Sequence, residues 1–165
     1  MKKFIKPLLI ASTMAAVFSA QAVQKDITVN ANVDATIDMT QPDNTSLPSS
    51  IDMQYLPGKG LTPFNLNTKV WSNNATAGVN VRLVRAASLA DVNGANKIPL
   101  TVSLGETVLT TANQLLEAAT LFPAGIENGS DVLPLRFAQT AQGPIATGTY
   151  SGIVSLVVTQ ATKAE

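Results

Sequence analysis

Residues 27–39 read ITVNANVDATIDM, and within them every second residue is apolar. Ile27, Val29, Ala31 and Val33 begin the apolar series, while Thr, Asn and Asp occupy the positions between. Strict alternation of this kind predicts a β-strand with one buried face. At thirteen residues, the run is about twice the length of an average strand. We take this stretch to decide the fold.

The residues before this strand resemble a secretory signal. Three lysines, an apolar stretch over 7–18 and the small residues around Ala22 predict export, with cleavage between Ala22 and Val23. The apolar stretch is shorter than the ~20 residues of a spanning helix, which disfavours a membrane anchor. Cleavage would remove the three lysines and leave eight basic groups against eleven acidic ones, so that the exported chain is mildly acidic.

The rest of the chain also alternates, in short runs separated by turn residues. Strands are predicted over 50–56, 64–70, 79–83, 98–104, 107–109, 132–138 and 150–159. Pro134 predicts an edge or a bulge in its strand, since proline cannot donate to a ladder. Thr111 with Gln114 resembles a capping box, which predicts one short helix reaching Ala119. Seven or eight short strands with frequent turns favour an all-β fold, a β-sandwich.

Composition excludes several kinds of chemistry. The 165 residues include no cysteine and no histidine, so a thiol nucleophile, a Ser-His pair and an imidazole or thiolate metal site are absent. Charged residues are 13% of the chain, too few and too scattered for nucleic-acid binding. We predict no catalytic residues, no metal and no cofactor, and therefore no enzyme. The scattered carboxylates, four of them at Asp34, Asp38, Asp43 and Asp52, favour no pair for a hydrolase.

Three aromatic residues offer a further choice. Tyr55, Phe64 and Trp71 could form a sugar-stacking platform, but residues of a core or a sheet edge are the favoured interpretation. A protein with its own carbohydrate-binding surface is therefore the alternative that these residues leave open.

The two ends of the chain point to strand exchange between molecules. The run 150–159 is strongly apolar, yet only six residues follow it, so no later strand covers its free side. An uncovered core strand is an aggregation template. The alternating N-terminal strand has the pattern to cover such an edge by β-strand addition, or else it pairs within its own domain.

Three motifs carry a resemblance to a known family: TGTYSGIVSLVVT at 147–159, VQKDITV at 23–29, and LTTA at 109–112 leading to EAA at 117–119. They closely resemble the major pilins of class 5 chaperone-usher fimbriae, the group of the colonisation factor antigen I type and cable pili. Ala35 departs from the pattern, because several members have proline after the residue at Asp34. The expected consequence is a less fixed chain direction at the end of the alternating N-terminal strand.

The resemblance implies an incomplete immunoglobulin-like β-sandwich completed by donor-strand exchange, in a major structural subunit of an adhesive fimbria on the cell surface. The alternative is a minor or tip fimbrial subunit with its own carbohydrate-binding surface. It implies a signal peptide over 1–22, a donor extension and start of the first strand over 23–38, and a pilin domain over 39–165. The donor side chains would be Ile27, Val29, Ala31 and Val33, and the acceptor groove would include Val154, Leu156 and Val158. Implied partners are identical subunits, a periplasmic chaperone, an outer-membrane usher, a tip adhesin subunit and a host glycan or other surface receptor.

Overall fold

The computed structural model describes residues 36–162. The predicted cleavage position at Ala22 and Val23 and the donor side chains Ile27, Val29, Ala31 and Val33 lie outside these residues. The three-part division of the chain at residues 22 and 38 accordingly stays a prediction. Within the described part, no helix is both long enough and apolar enough to cross a membrane.

Twelve strands and two short helical turns make up the described chain. The strands are β1 (Ile37–Thr40), β2 (Tyr55–Leu56), β3 (Gly60–Leu61), β4 (Phe64–Ser72), β5 (Val79–Leu83), β6 (Ser88–Asp91), β7 (Lys97–Leu104), β8 (Thr107–Val108), β9 (Gln114–Leu116), β10 (Leu133–Gln139), β11 (Tyr150–Ser151) and β12 (Leu156–Gln160). The helix α1 spans Ala118–Leu121, and a 3-10 turn spans Ile126–Asn128.

Two curled antiparallel sheets enclose the core. The larger has the order β1-β4-β10-β7-β6-β11, with β8 paired to β7, and the smaller has the order β12-β5-β9. Alternation decides which side chains point inward: β5 and β7 each bury every second residue and leave the residues between them on the outside. Fully buried Val70, Val79 and Val81 come from both sheets, so the core lies between them. The fold is the predicted all-β sandwich.

Pro134 lies in a central strand, which corrects the prediction of an edge. β10 pairs with β4 on one side and with β7 on the other. The Pro134 carbonyl accepts a 2.9 Å hydrogen bond from the Gly105 backbone N–H, so the ring nitrogen also faces the turn after β7. The backbone N–H that proline lacks would therefore bond only beyond the last pair of the β10–β7 ladder, Leu135 and Leu104.

The helix predicted from Thr111 is also wrong in its position. Residues 114–116 form β9, which pairs with β5 through Val79 opposite Leu116. The helix begins later, after Glu117, and has no side-chain cap. Pairing with the core strand outweighs the local capping signal because it completes a ladder and half-buries Leu116.

Two predicted strands are shorter than expected. Only Tyr55–Leu56 of the stretch 50–56 forms a strand. The run 150–159 is divided between the sheets, because β11 pairs with β6 and β12 pairs with β5. Residues 152–155 carry the chain from one sheet to the other.

Candidate functional site

An open apolar cleft of about 830 Å³ lies at one side of the sandwich. One wall is the non-strand segment 47–53, and the other is the chain from Ile145 to Leu156. Side chains of the larger sheet form its floor: Leu66, Leu89, Ile98, Leu100, Leu135 and Phe137. The cleft is therefore an apolar opening between these two walls, with the larger sheet beneath it.

The predicted groove residues lie on one face of the C-terminal wall. Val154 and Leu156 line the cleft, and Val158 continues the row beyond it. All three are partly buried against the core. Leu156 and Val158 lie opposite the buried Leu83 and Val81 of β5, which shows that their parity faces inward. Ile153, of the other parity, is 69% exposed.

The outer edge of β12 has no strand partner among residues 36–162, where β12 pairs with β5 alone. Val84 donates its backbone N–H to the Ser155 carbonyl at 2.9 Å, and Ala161 donates to the Gly78 carbonyl at 2.8 Å. Ladder bonds alternate, so the backbone groups of Leu156, Val158 and Gln160 point away from β5. These N–H and C=O groups form a template for another strand beside the cleft.

The C-terminal wall is anchored to the sandwich at several points. Gly152 lies against the Ser88 carbonyl, so close that a Cβ there would overlap it. Arg85 Nη2 donates to the Ile153 carbonyl at 3.4 Å, and Tyr150 pairs with Asp91 of β6. Within the wall itself, the Tyr150 hydroxyl donates to the Ala146 carbonyl at 3.0 Å. These contacts hold the wall in place while its edge stays open.

The first described residues lie at one end of the sandwich, which we call the exit end. There Ile37 pairs with Ser72 at the end of β4, and Gln160 at the end of β12 pairs with Val79 at the start of β5. A six-residue loop joins β4 to β5, so these pairs share one end. The segment preceding Thr36 is therefore attached at the end where β12 finishes.

Polar and aromatic candidates do not assemble into a second site. Trp71 and Phe64 are seven residues apart on β4, about 23 Å, and Tyr55 pairs with Leu61 in a separate hairpin. Trp71 Nε1 donates to Thr40 Oγ1 at 2.9 Å, a contact of a sheet edge rather than a platform. In the part of the chain that the structure describes, no three acidic residues are grouped as metal ligands.

Two exposed carboxylates titrate below their ordinary range. A hydrogen bond from the Thr45 hydroxyl lowers the pKa of Asp43, and one from the Asn96 side chain lowers the pKa of Asp91. Both belong to turns, Asp91 to the hairpin that joins β6 and β7. Their role is to order the turns.

Sequence reasoning missed the opposite wall and the floor of the cleft. The sequence predicts a strand from position 50, whereas residues 47–53 form no strand and lie along the opening. Alternation predicts a strand that includes Leu135 and Phe137, but it does not indicate that their side chains line the cleft. The signal for the wall is weak, because Ile51 and Met53 are the only large apolar residues that alternate there.

An immunoglobulin-like sandwich with an apolar cleft beside the open outer edge of its β12 strand is the architecture of the pilin class of protein. A solved structure titled as the CooA pilin subunit from enterotoxigenic Escherichia coli matches with a TM-score of 0.68 and 25% identity, covering 79% of this chain and 90% of that one. A CFA/I fimbrial subunit of Escherichia coli O78:H11 is 41% identical over 90% of this chain and 91% of its own length. A CS1 fimbrial subunit of Escherichia coli is 31% identical over 98% of this chain and 99% of its own.

Residues 23–159 match the family model of the CS1 type fimbrial major subunit, and the chain belongs to that family. Membership confirms the predicted resemblance to class 5 pilins and the predicted incomplete immunoglobulin-like fold. It also confirms a structural pilin exported to surface fimbriae. The relatives are structural subunits and not enzymes.

Proposed function

We propose that this chain is the non-enzymatic, repeating subunit of an adhesive fimbria, and that it polymerises when residues 27–33 of one copy insert into the cleft of the next. Ile27, Val29, Ala31 and Val33 are the inserted side chains. Val154, Leu156 and Val158 belong to the receiving groove. The observation that carries the proposal is the open backbone edge of β12 beside an apolar cleft.

The chemistry of the cleft matches that of the proposed occupant. An inserted strand must satisfy the edge groups of Leu156 and Val158 and place apolar side chains over a floor that includes Leu135 and Phe137. An alternating strand does both at once, because its backbone pairs with the edge and its alternate side chains share one face. Segment 27–33 has this pattern over its whole length.

The position of the chain ends supports a head-to-tail contact. The segment before Thr36 is attached at the exit end, whereas the cleft is lined by the start of β12 at the opposite end. A heterologous contact between such unlike ends propagates into a filament. The attached, C-terminal side of the extension would then lie beside Val154 of the neighbouring copy, and its N-terminus would lie near Gln160. The two strands would therefore be antiparallel.

Export and assembly require partners in this proposal. The family match begins at Val23, which supports removal of residues 1–22 before assembly. A periplasmic chaperone would occupy the cleft first, an outer-membrane usher would then exchange subunits, and a tip adhesin subunit would end the fibre. A host glycan or other surface receptor is the proposed target of the assembled fimbria.

Charge placed in the cleft tests insertion. We expect Val29→Asp to abolish the ladder of multimers in an unboiled gel of surface extracts, because burying an unpaired carboxylate costs several kcal/mol. Thr28→Asp is the matched control, since it adds the same charge to the opposite face of the strand and should leave the ladder intact. Val29→Ala should form a ladder that collapses at a lower temperature.

Opposite results would refute the insertion. A normal ladder from Val29→Asp would contradict the proposal, and so would equal losses from Val29→Asp and Thr28→Asp. A ladder from Val29→Ala with unchanged heat resistance would show that this side chain is not buried in the joint.

A further inference from the structure

Basic side chains gather at the end of the sandwich opposite the exit end, which we call the mouth end. Lys97 begins β7 where β10, its antiparallel neighbour, finishes. Arg85 follows β5 beside the start of β12. Lys59 lies in the hairpin of β2 and β3, whose Leu61 N–H donates to the side chain of Gln139, the last residue of β10. All three basic side chains are exposed, and we call them the basic rim.

Acidic side chains are spread over the exit end. Glu117 follows β9, whose last residue pairs with the first residue of β5. Asp131 precedes β10, and the adjacent Ser130 N–H donates to the Val70 carbonyl near the end of β4 at 2.8 Å. Among the described residues at this end, Lys69 is the one basic residue. Five exposed residues, which we call the exit-end acids, share this end: Asp38, Glu106, Glu117, Glu127 and Asp131.

The two sets of charges are not neutralised within the subunit. Arg85 Nη2 donates to the Ile153 carbonyl at 3.4 Å, and Lys69 Nζ donates to a backbone carbonyl at 2.6 Å. Across residues 36–162, no basic side chain forms an ion pair with an acidic one. Asp91, an acid at the mouth end, accepts a 2.7 Å hydrogen bond from a side chain of its own turn. The basic rim and the exit-end acids therefore both face outward with their charge uncompensated.

The proposed joint would bring these two ends close together. Val33 would occupy the cleft of the neighbouring copy, and Thr36 is already at the exit end, so three residue steps link the two ends. An extended chain covers at most about 3.6 Å per residue, and the link therefore spans at most about 11 Å. Exposed charges attract one another over about 8 Å at physiological ionic strength. The facing ends of neighbouring copies would thus lie within electrostatic range.

We propose that the basic rim binds the exit-end acids of the next copy, and that this contact orients the subunits head to tail. The inference rests on the proposed function and adds a second surface to the same joint. Unlike ends attract, whereas two mouth ends or two exit ends repel each other. Exposed ion pairs add little to the strength of a joint, but complementary charge raises association rates tenfold or more. The contact therefore acts mainly on the assembly of the fibre.

Charge reversal at one end or the other gives two complementary full-length variants. The mouth variant carries Lys59→Glu and Lys97→Glu, which makes both of its ends acidic. The exit variant carries Glu117→Lys, Glu127→Lys and Asp131→Lys, which makes both of its ends basic. Copies of one variant then repel each other end to end. When the two variants are mixed, every mouth end can meet an exit end of opposite charge.

We expect each variant alone to give about tenfold fewer multimers than the parent in an unboiled gel of surface extracts. Co-expression of both variants in one cell should restore the multimers to within about twofold of the parent. A folding defect gives a different result, because two misfolded variants cannot restore each other. Undiminished multimers from either variant alone would overturn the contact, and so would a loss that co-expression does not restore.

Charge on the outer faces of the sheets provides the matched control. Arg82 lies between the buried Val81 and Leu83 of β5, and Arg136 lies between the buried Leu135 and Phe137 of β10, so both point outward. Arg82→Glu with Arg136→Glu changes the net charge as much as the mouth variant does. This control should assemble like the parent. A loss equal to that of the mouth variant would show an effect of net charge and overturn the contact between ends.

Failure of strand insertion itself gives a separate result. Val29→Asp, added to both co-expressed variants, should abolish the restored multimers, because the inserted strand still joins the copies. Multimers that survive Val29→Asp but still respond to the end charges would refute insertion and leave the contact between ends in place. Multimers that Val29→Asp abolishes but that ignore every end-charge reversal would refute the contact and leave insertion in place.

Discussion

Replacing Gly152 by alanine tests how the C-terminal wall of the cleft is held. A Cβ at this position would overlap the Ser88 carbonyl oxygen and lie 3.2 Å from the Cα and Cδ2 atoms of Leu89. Both neighbours belong to β6, which is fixed by its ladder with β7, so the wall itself must move. Forced overpacking of this kind costs about 1–3 kcal/mol. For a domain of this size, each 1 kcal/mol lowers the melting temperature by roughly 4 °C.

We therefore expect the purified Gly152→Ala protein to melt roughly 4–12 °C below the parent when unfolding is followed by circular dichroism. Gly148→Ala is the control on the same wall, because its Cβ would meet only the Tyr150 side chain, at ordinary contact distances of 3.4–3.8 Å. Its melting should match that of the parent. Identical melting of all three proteins, or a larger loss from Gly148→Ala, would refute the steric account of the wall.

Three further substitutions test the core, a buried hydrogen bond and a turn. Leu135→Ala should lower the free energy of unfolding in urea by about 2–5 kcal/mol, since Leu135 is 2% exposed; a loss below about 1 kcal/mol would contradict its place in the core. Ser130→Ala should cost about 1–3 kcal/mol in the same assay, because the buried Val70 N–H loses its 2.9 Å bond to the hydroxyl; an unchanged midpoint would contradict this. The pKa of Asp91 is lowered in the fold, so its contribution is complete above its ordinary pKa of 3.8 and is lost as the pH falls through the folded pKa. Asp91→Asn should remove that acid-dependent loss from melting curves between neutral and acidic pH, and a parallel acid profile would refute it.

The sequence predicts the core strands well because their two faces differ sharply. β5 and β7 alternate buried and outward residues, as their patterns require. Local sequence signals give the wrong structure where pairing with a neighbouring strand is more favourable. Thr111 and Gln114 favour a helix on their own, yet β9 completes the smaller sheet by pairing with Val79. Pro134 appears incompatible with a central strand until the register shows that its nitrogen faces a turn.

The candidate site, like the fold, can be predicted from the sequence only in part. The apolar C-terminal run predicts a core strand, and β12 packs against the core with one edge unpaired among the described residues. The inward parity of Val154, Leu156 and Val158 could not be derived from the sequence, since the run 153–158 is apolar on both faces apart from Ser155. Parity follows only from the pairing of Leu156 with Leu83, a contact between residues 73 positions apart.

The wall of the cleft shows why an unbroken apolar run need not be one strand. Residues 150–159 have the composition of a single buried strand, but Gly152 allows the chain to pass close to β6 and cross to the other sheet. Residues 150–159 therefore contribute a strand to each sheet, and the residues that cross between the sheets line the cleft. In a complete sandwich a following strand would fill this gap from the same chain. Among residues 36–162 no strand fills it, and the proposed occupant is the alternating segment 27–33 of a head-to-tail copy, since Thr36 lies at the end of the sandwich opposite the mouth of the cleft.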